Sequence, residues 1–528
     1  YKRQHLLGRP WLHHPHGTLM KRIPTISFHF SSLILVASLL AGEKPNILFI
    51  AIDDLKPSIG AYTKAVPTPA MDRIAARGTT FLNAHCQQAV CGPSRASAMT
   101  GKYPDFTQIW DLKTKIRAIH PEIVTLTQHF KNNGYHTAGV GKIFDPRSVD
   151  KGSDSRSWSE AYTQTWHLKY NEKTGKPIGH YHNSKSKTLA AEEKNANWNA
   201  INKKLFANNA WPAVEALDVP DDAYDDGAIA AHAVKSLSKL AKKKKPFFLA
   251  VGFKKPHLPF VAPKQYWDRF DPKSIQLASY QEAPIGAPTY ASHDSSELRS
   301  YNGIPASGPL DPSTQRTLIH GYYACVAYID AQIGKILDQL EQSGLAENTI
   351  IVLWGDHGWH LGDHGLWCKH TNYEQATRVP LIIAHPGAKT QKTEMPAELT
   401  DLFPTLCDLA GIQIPDTIDG INLAPTIHNQ NIRPREFALS QFPAGKKMGY
   451  ALRNDRYRFV AWFETGGGGT RAGDPIAATE LYDYATDPLE QKNLVNDPKY
   501  KTVVAELSSK LYNSCLLYTS PSPRDKHR

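Results

Sequence analysis

Apolar runs of strand length alternate with helically spaced segments through most of the chain. Asn46-Ile-Leu-Phe-Ile-Ala-Ile52 is continuously apolar, as a strand buried on both faces requires. Pro246–Phe253, Thr349–Trp354 and Val379–Ile383 repeat the pattern, and His136–Gly141 reads as another strand. Thr68 and Pro69 start a helix that Gly78 would end, and Glu122–Asn133 is amphipathic and stops at Gly134. Asp222–Lys244 reads as a helix, and Tyr322–Gln342 sets Val326, Ile329, Ile333, Ile336, Leu337 and Leu340 at helical spacing. This alternation predicts an α/β fold with a mostly parallel central sheet covered by helices. From about Arg435 the strands shorten (Met448–Leu452, Tyr457–Phe463, Glu480–Tyr484), with a helix near Lys501–Tyr512. That predicts a small C-terminal α+β domain with an antiparallel sheet. The expected division is 1–42, 43–434, 435–515 and 516–528.

The two ends differ from the body. Met20-Lys-Arg precedes an apolar stretch, Phe28–Ala41, too short for the ~20 residues a bilayer-spanning helix needs. It reads as a secretory signal peptide, with translation starting at Met20 and Tyr1–Leu19 lying upstream. A secreted or periplasmic protein without stable membrane insertion is expected. The Ser/Pro-rich residues 516–528 read as a non-native or disordered tail. These ends hold most of the net charge of +11, so its suggestion of a nucleic-acid partner lapses. The 6 cysteines form no CxxC motif, which argues against structural zinc and a disulfide framework. Lys242–Lys245 reads as a solvated helix end. The long polar segment Val149–Pro212 carries Trp158, Trp166, Tyr170, Trp198 and Trp211. Such aromatics can stack on sugar rings or pin the segment to the core, and the sequence favours neither.

Chemistry gathers at three places. One apolar strand ends in Asp53-Asp54 and another in Asp356-His357. In a parallel sheet both lie at the carboxyl edge, where α/β sites form. Adjacent carboxylates repel unless a cation sits between them, and oxygen-rich ligation favours Ca²⁺ or Mg²⁺ over zinc. The third is Cys91-Gly-Pro-Ser-Arg95-Ala-Ser-Ala-Met-Thr-Gly101, a helix with Cys91 at its N-terminus and Arg95 on the same side.

That string resembles the signature Cys-x-Pro-Ser-Arg-x-x-x-x-Thr-Gly of the formylglycine-dependent sulfatases. The likeness runs through Asn83–Tyr103, Pro246–Phe260, Asp356–Leu381 and the small domain, and is greatest to the branch of iduronate-2-sulfatases and their bacterial relatives. It implies an alkaline-phosphatase-like core and hydrolysis of sulfate esters on a sulfated saccharide. A 2-O-sulfated uronic acid fits that branch. It implies Ca²⁺ held by Asp53, Asp54, Asp356, His357 and the modified Cys91, which a formylglycine-generating or sulfatase-maturating enzyme would oxidise to formylglycine. Arg95 would hold the formylglycine, and Lys142, His257 and Lys369 would bind or protonate the ester. One departure stands out: Gly141-Lys142-Ile-Phe-Asp145-Pro146 has an acid where the family's Gly-Lys-x-x-His-Pro has histidine. A carboxylate beside the reacting sulfate would repel it, so Asp145 is expected to turn away, pairing with Arg147 or another cation outside the substrate contacts and leaving His257 as the imidazole. Two rivals remain: a phospho- or phosphonate-ester hydrolase of the same superfamily, and an inactive protein that binds sulfated glycans.

Overall fold

The computed structural model describes residues 44–193 and 198–519. The leader-like segment 1–42 lies outside the described residues. So does the tail from 520, although the last helix, Lys501–Thr519, runs further than the sequence suggests.

The central strand, Asn46–Ile52, lies between Phe247–Phe253 and Thr349–Gly355 and is parallel to both. His136–Gly141 continues the parallel arrangement beyond Phe247–Phe253. On the other flank Leu381–Ala384 is antiparallel to Thr349–Gly355 and to Gly78–His85. The sheet is therefore mixed, with a parallel centre. Alternate residues of Asn46–Ile52 feed two cores. Leu48, Ile50 and Ile52 pack with helices Asp225–Leu240 and Pro312–Gln342, whereas Ile47, Phe49 and Ala51 pack with helices Cys91–Thr100 and Leu402–Leu409. Burial on both faces explains the unbroken apolar runs.

Several boundaries differ from the sequence reading. Gly78 does not stop a helix. The helix ends at Ala75, and Gly78 opens a strand that the apolar pattern does not reveal. A Cβ there would sit 2.2 Å from the Ile383 carbonyl oxygen, so close strand approach demands glycine. Thr125 caps a shorter helix, Leu126–Asn132, and Asp311 starts the long helix at Pro312, ahead of the apolar stripe. Asp225–Leu240 ends before the lysine run, and Lys242–Lys245 are exposed as expected. The C-terminal region forms an antiparallel sheet in the order Ala438–Ala444, Lys447–Arg453, Tyr457–Glu464, Ile476–Asp483. Its first strand went unread because Pro443 and polar residues interrupt it. Cys86, Cys91, Cys325, Cys368 and Cys407 are buried free thiols.

Part of the aromatic segment is pinned to the core. Trp158 is buried, with its indole donating to the Ser153 carbonyl, and Trp211 stacks on Tyr301. Trp166 remains exposed on the wall of a cavity. Trp198's side chain lies outside the described residues.

Candidate active site

The parallel strands deliver their next residues to one edge. Asp53 N–H donates to the Phe253 carbonyl and Asp356 N–H to the Ile52 carbonyl, extending the ladder just past the strands. Asp54 then turns into the left-handed region at φ 60, a costly conformation for aspartate. Its N–H donates to Asp356 Oδ1 (2.9 Å), and its carbonyl accepts from the Tyr322 hydroxyl (2.7 Å). Lys142 follows Gly141, whose φ of 85 and contact with Gly252 leave no room for a Cβ.

Helix Cys91–Thr100 is buried throughout and points its N-terminus at this edge. Val90 enters in extended conformation and Gly101 ends the helix at φ 65. One turn in, Arg95 donates from Nη2 to Asp53 Oδ1 (2.9 Å) and from Nε to Asp356 Oδ2 (2.8 Å). A single buried guanidinium therefore ties two strand ends to the cysteine helix. Ser94 Oγ donates to the Asp356 carbonyl.

Cys91 Sγ lies 3.4 Å from His357 Nε2 and 4.0 Å from Asp54 Oδ1. His357 Nδ1 faces the Gly358 carbonyl at 3.0 Å, so it carries the proton and Nε2 is left as a donor atom. Donor atoms of Asp54, Cys91, Asp356 and His357 lie within 4.8 Å of one another, as do those of Asp53, Asp54, Cys91 and His257. Burial raises Asp54 well above its ordinary value despite Lys369, and the neighbouring carboxylates add to the rise. Burial also pushes Asp53 up, but Lys142 and Arg95 outweigh it and hold that carboxyl low. Crowded buried carboxylates with one neutral imidazole fit a hard divalent cation. Burial lifts the Cys91 thiol well above its ordinary range, so an unmodified sulfur here is a poor nucleophile.

All the site residues expected from the sequence meet here. Lys142 Nζ contacts Asp53 Oδ2 at 2.6 Å. Lys369 Nζ contacts Asp54 Oδ2 at 3.0 Å, while its carbonyl accepts from His293 Nε2. His257 donates from Nδ1 to the Leu258 carbonyl (2.6 Å) and turns Nε2 toward Asp54 Oδ2 at 3.9 Å. Burial and Lys369 push this imidazole down to about 3, so the ring is neutral near pH 7, with its proton on Nδ1 and Nε2 bare. One member was not foreseen: Glu297 Oε1 lies 3.0 Å from Lys369 Nζ and 3.3 Å from His257 Nε2. It comes from a one-turn helix, Ser296–Arg299, in a Ser/Asp-rich stretch with no motif to mark it. Asp145 pairs with Arg147 as expected, at 2.9 and 2.8 Å, but it stays in the wall of the same cavity, 4.0 Å from Lys142 Nζ. That cavity, of about 330 Å³, opens beside Asp53, Lys142 and His257.

Residues 45–412 match the sulfatase family model. The chain belongs to the sulfatase family. It is accordingly a sulfuric ester hydrolase. Residues 362–515 of this sulfatase match the C-terminal model of N-sulphoglucosamine sulphohydrolase. The chain is 34% identical to iduronate 2-sulfatase of Mus musculus, across 87% of this chain and 92% of that protein. It is 33% identical to a sulfatase of Formosa agariphila, across 89% and 86%. The solved phosphonate monoester hydrolase of Silicibacter pomeroyi superposes with a TM-score of 0.67 at 23% identity, covering 89% of this chain and 95% of that one. The fold expected from the resemblance, an alkaline-phosphatase-like α/β sandwich with a small antiparallel C-terminal sheet, is the fold of this sulfatase. No described helix is long and apolar enough to cross a membrane.

Proposed function

We propose that this sulfatase hydrolyses sulfate esters of a sugar, with a 2-O-sulfated uronic acid as the favoured substrate, using formylglycine made from Cys91 and a Ca²⁺ ion. The reading is carried by Cys91, which opens a helix inside a set of buried donor atoms and begins the string through Gly101. Asp53, Asp54, Asp356, His357 and residue 91 would hold the cation, which supplies Lewis-acid polarisation of the sulfate and of the nucleophilic oxygen. Arg95 fixes Asp53 and Asp356 and is itself fully paired, so it orients the cation ligands. Lys142 and Lys369 would take sulfate oxygens by turning from the carboxylates they now face. A bound anionic ester would favour the charged form of His257, and Nε2, having taken a proton from solvent, would pass it to the leaving sugar oxygen. The mouse relative's name supports the uronate, and exposed Trp166 beside the pocket supports a sugar.

Peptide mass spectrometry of active protein, together with sulfate release from defined sulfated saccharides, tests this. Plain cysteine at residue 91 throughout fully active material would overturn it. The likeness to a phosphonate monoester hydrolase sustains a second reading, separated by comparing sulfate, phosphate and phosphonate esters on one preparation. Export after removal of 1–42, a catalytic domain over 43–434, a subdomain over 435–515, a non-native or disordered tail over 516–528 and a separate maturating enzyme belong to the same proposal. N-terminal sequencing of exported protein checks the first of these.

A further inference from the structure

The cavity beside Lys142 and His257 has an outer wall that the hydrolysis itself does not need. Arg147 and Trp166 stand on it. Arg147 occupies an unusual setting: 54% of its side chain is exposed, while its partner Asp145 is fully covered. Asp145 accepts from Nε, from Nη2 and from the Arg147 backbone N–H at 2.8 to 3.0 Å. The guanidinium is thereby locked on its inner edge. Among the described residues nothing pairs with its remaining nitrogen, Nη1. A carboxylate oxygen of Asp145 also lies 4.0 Å from Lys142 Nζ, so the fixed guanidinium stands only one side chain away from the cation expected at the ester. Trp166 is 57% exposed on this wall, and its ring contacts only His167 among the described aromatic groups.

Asp145 cancels the charge of Arg147, so net charge does not draw a ligand here. The pair instead offers a directed donor whose rotamer freedom is already lost, beside an apolar face of sugar size. A neutral sugar would need only the face. A locked guanidinium edge is suited to an oxyanion.

We propose that Arg147 and Trp166 form a subsite for a second oxyanion on the saccharide, with Arg147 Nη1 donating to the anion and Trp166 covering the sugar ring. The anion is a ring carboxylate or a further sulfate. The proposal rests on the sulfated-sugar reading above and adds what the substrate must carry besides the ester.

The test is calorimetric binding to the full chain carrying Cys91→Ala, which has no nucleophile at this position and so holds the esters intact. The ligands are a 2-O-sulfated uronate disaccharide, the same compound with its carboxyl reduced to the alcohol, a disulfated glucosamine and p-nitrophenyl sulfate. Arg147→Ala should weaken the uronate ~10- to 100-fold and leave the reduced compound within about twofold. Trp166→Ala should weaken both disaccharides alike, and neither change should move p-nitrophenyl sulfate. Loss confined to the disulfated sugar also supports the subsite and identifies the anion as sulfate. Arg147→Lys, which keeps the charge without the fork, should recover only part of the binding. Equal weakening of charged and reduced ligands by Arg147→Ala, no weakening of the uronate or of the disulfated sugar, or no measurable binding of any anionic saccharide overturns the proposal. Turnover of p-nitrophenyl sulfate by mature Cys91 enzyme remains a separate measure of the sulfatase reading, so the two failures are distinguishable.

Discussion

Among the described residues, two of the clusters of buried charge are built differently. Where the C-terminal sheet meets the main body, Glu374 and Glu490 face Arg453 and Arg458. Arg453 Nε reaches Glu374 at 3.1 Å, Arg458 Nε reaches Glu490 at 3.0 Å, and a second nitrogen of Arg458 pairs with Glu374. Arg378 adds a half-buried cation 3.9 Å from Glu374, so every carboxylate there is matched. Burial pushes Glu374 up, but Arg453 and Arg458 hold it well below its ordinary value. At the sheet edge four acids, Asp53, Asp54, Asp356 and Glu297, face three full cations, Arg95, Lys142 and Lys369. There Asp54 is raised, and the cluster opens on a cavity. A closed, balanced set joins two parts of a fold. An open set with surplus carboxylate is the setting that the proposed cation and anionic ligand would complete.

The contrast can be broken most sharply at Cys91. Cys91→Ser should cut multiple turnover by at least ~10³-fold, because a serine lacks the second hydroxyl of the hydrated aldehyde, yet leave thermal unfolding nearly unchanged. Steady-state sulfate release and calorimetry on the same sample check this. Arg458→Ala should do the reverse. It leaves Glu374 and Glu490 buried without their full complement, costing about 3–5 kcal/mol of stability, with little change in the metal affinity of the protein that remains folded. Chemical denaturation and metal titration measure the two effects. A large loss of metal affinity with unchanged stability would show that the two clusters are not separate.

Asp54→Asn sharpens the comparison through its sign. Asp54 is raised in the fold, so its contribution favours the metal-free fold in acid and is lost as pH climbs from the ordinary carboxylate range through the folded value. Glu374 is depressed, so its contribution is present above the ordinary glutamate range and disappears as pH falls toward the folded value. At neutral pH Asp54→Asn should raise the metal-free Tm, on the order of 1–2 °C per kcal/mol relieved in a chain of this size. It should also remove most of the Tm gain that Ca²⁺ gives the wild type. The two proteins should converge in acid. A lower metal-free Tm for Asp54→Asn at pH 7 would contradict the surplus-charge account.

Much of the site was legible because its chemistry is local in sequence. Asp53-Asp54 and Asp356-His357 directly follow apolar runs that can only be buried strands, and the Cys91 string carries its own helix start and stop. Glu297 was not legible. It reaches Lys369 and His257 from the short helix Ser296–Arg299, and only tertiary folding reveals the contact. Strand Gln391–Glu398 was hidden for another reason: its polar residues and Pro396 mask the pattern where it pairs with Gly78–His85. The first turns of helix Pro312–Gln342 are polar, so the apolar stripe began too late to mark them.

The smallest effect is expected at Asp145, where the sequence departs from the histidine of the family pattern. Burial pushes this carboxyl up, but Arg147 and Lys142 outweigh it and keep it ionised. Its oxygens are taken by Arg147, and its distance of 4.0 Å from Lys142 is at the limit of an ion pair. Asp145→Ala therefore removes a negative charge near the pocket and loosens Arg147, which is exposed enough to regain water. For a small sulfate ester these changes oppose each other weakly: Lys142 loses a distant competitor, and no group expected at the ester is lost. Turnover of p-nitrophenyl sulfate should change by less than about tenfold, whereas His257→Ala should lower it by ~10²-fold or more through loss of the proton donor. Asp145→Asn, which keeps one acceptor for Arg147, should fall between wild type and Asp145→Ala. If Asp145→Ala abolishes turnover in folded protein, this carboxylate acts at the ester itself, and the separation between pocket wall and reacting groups is wrong.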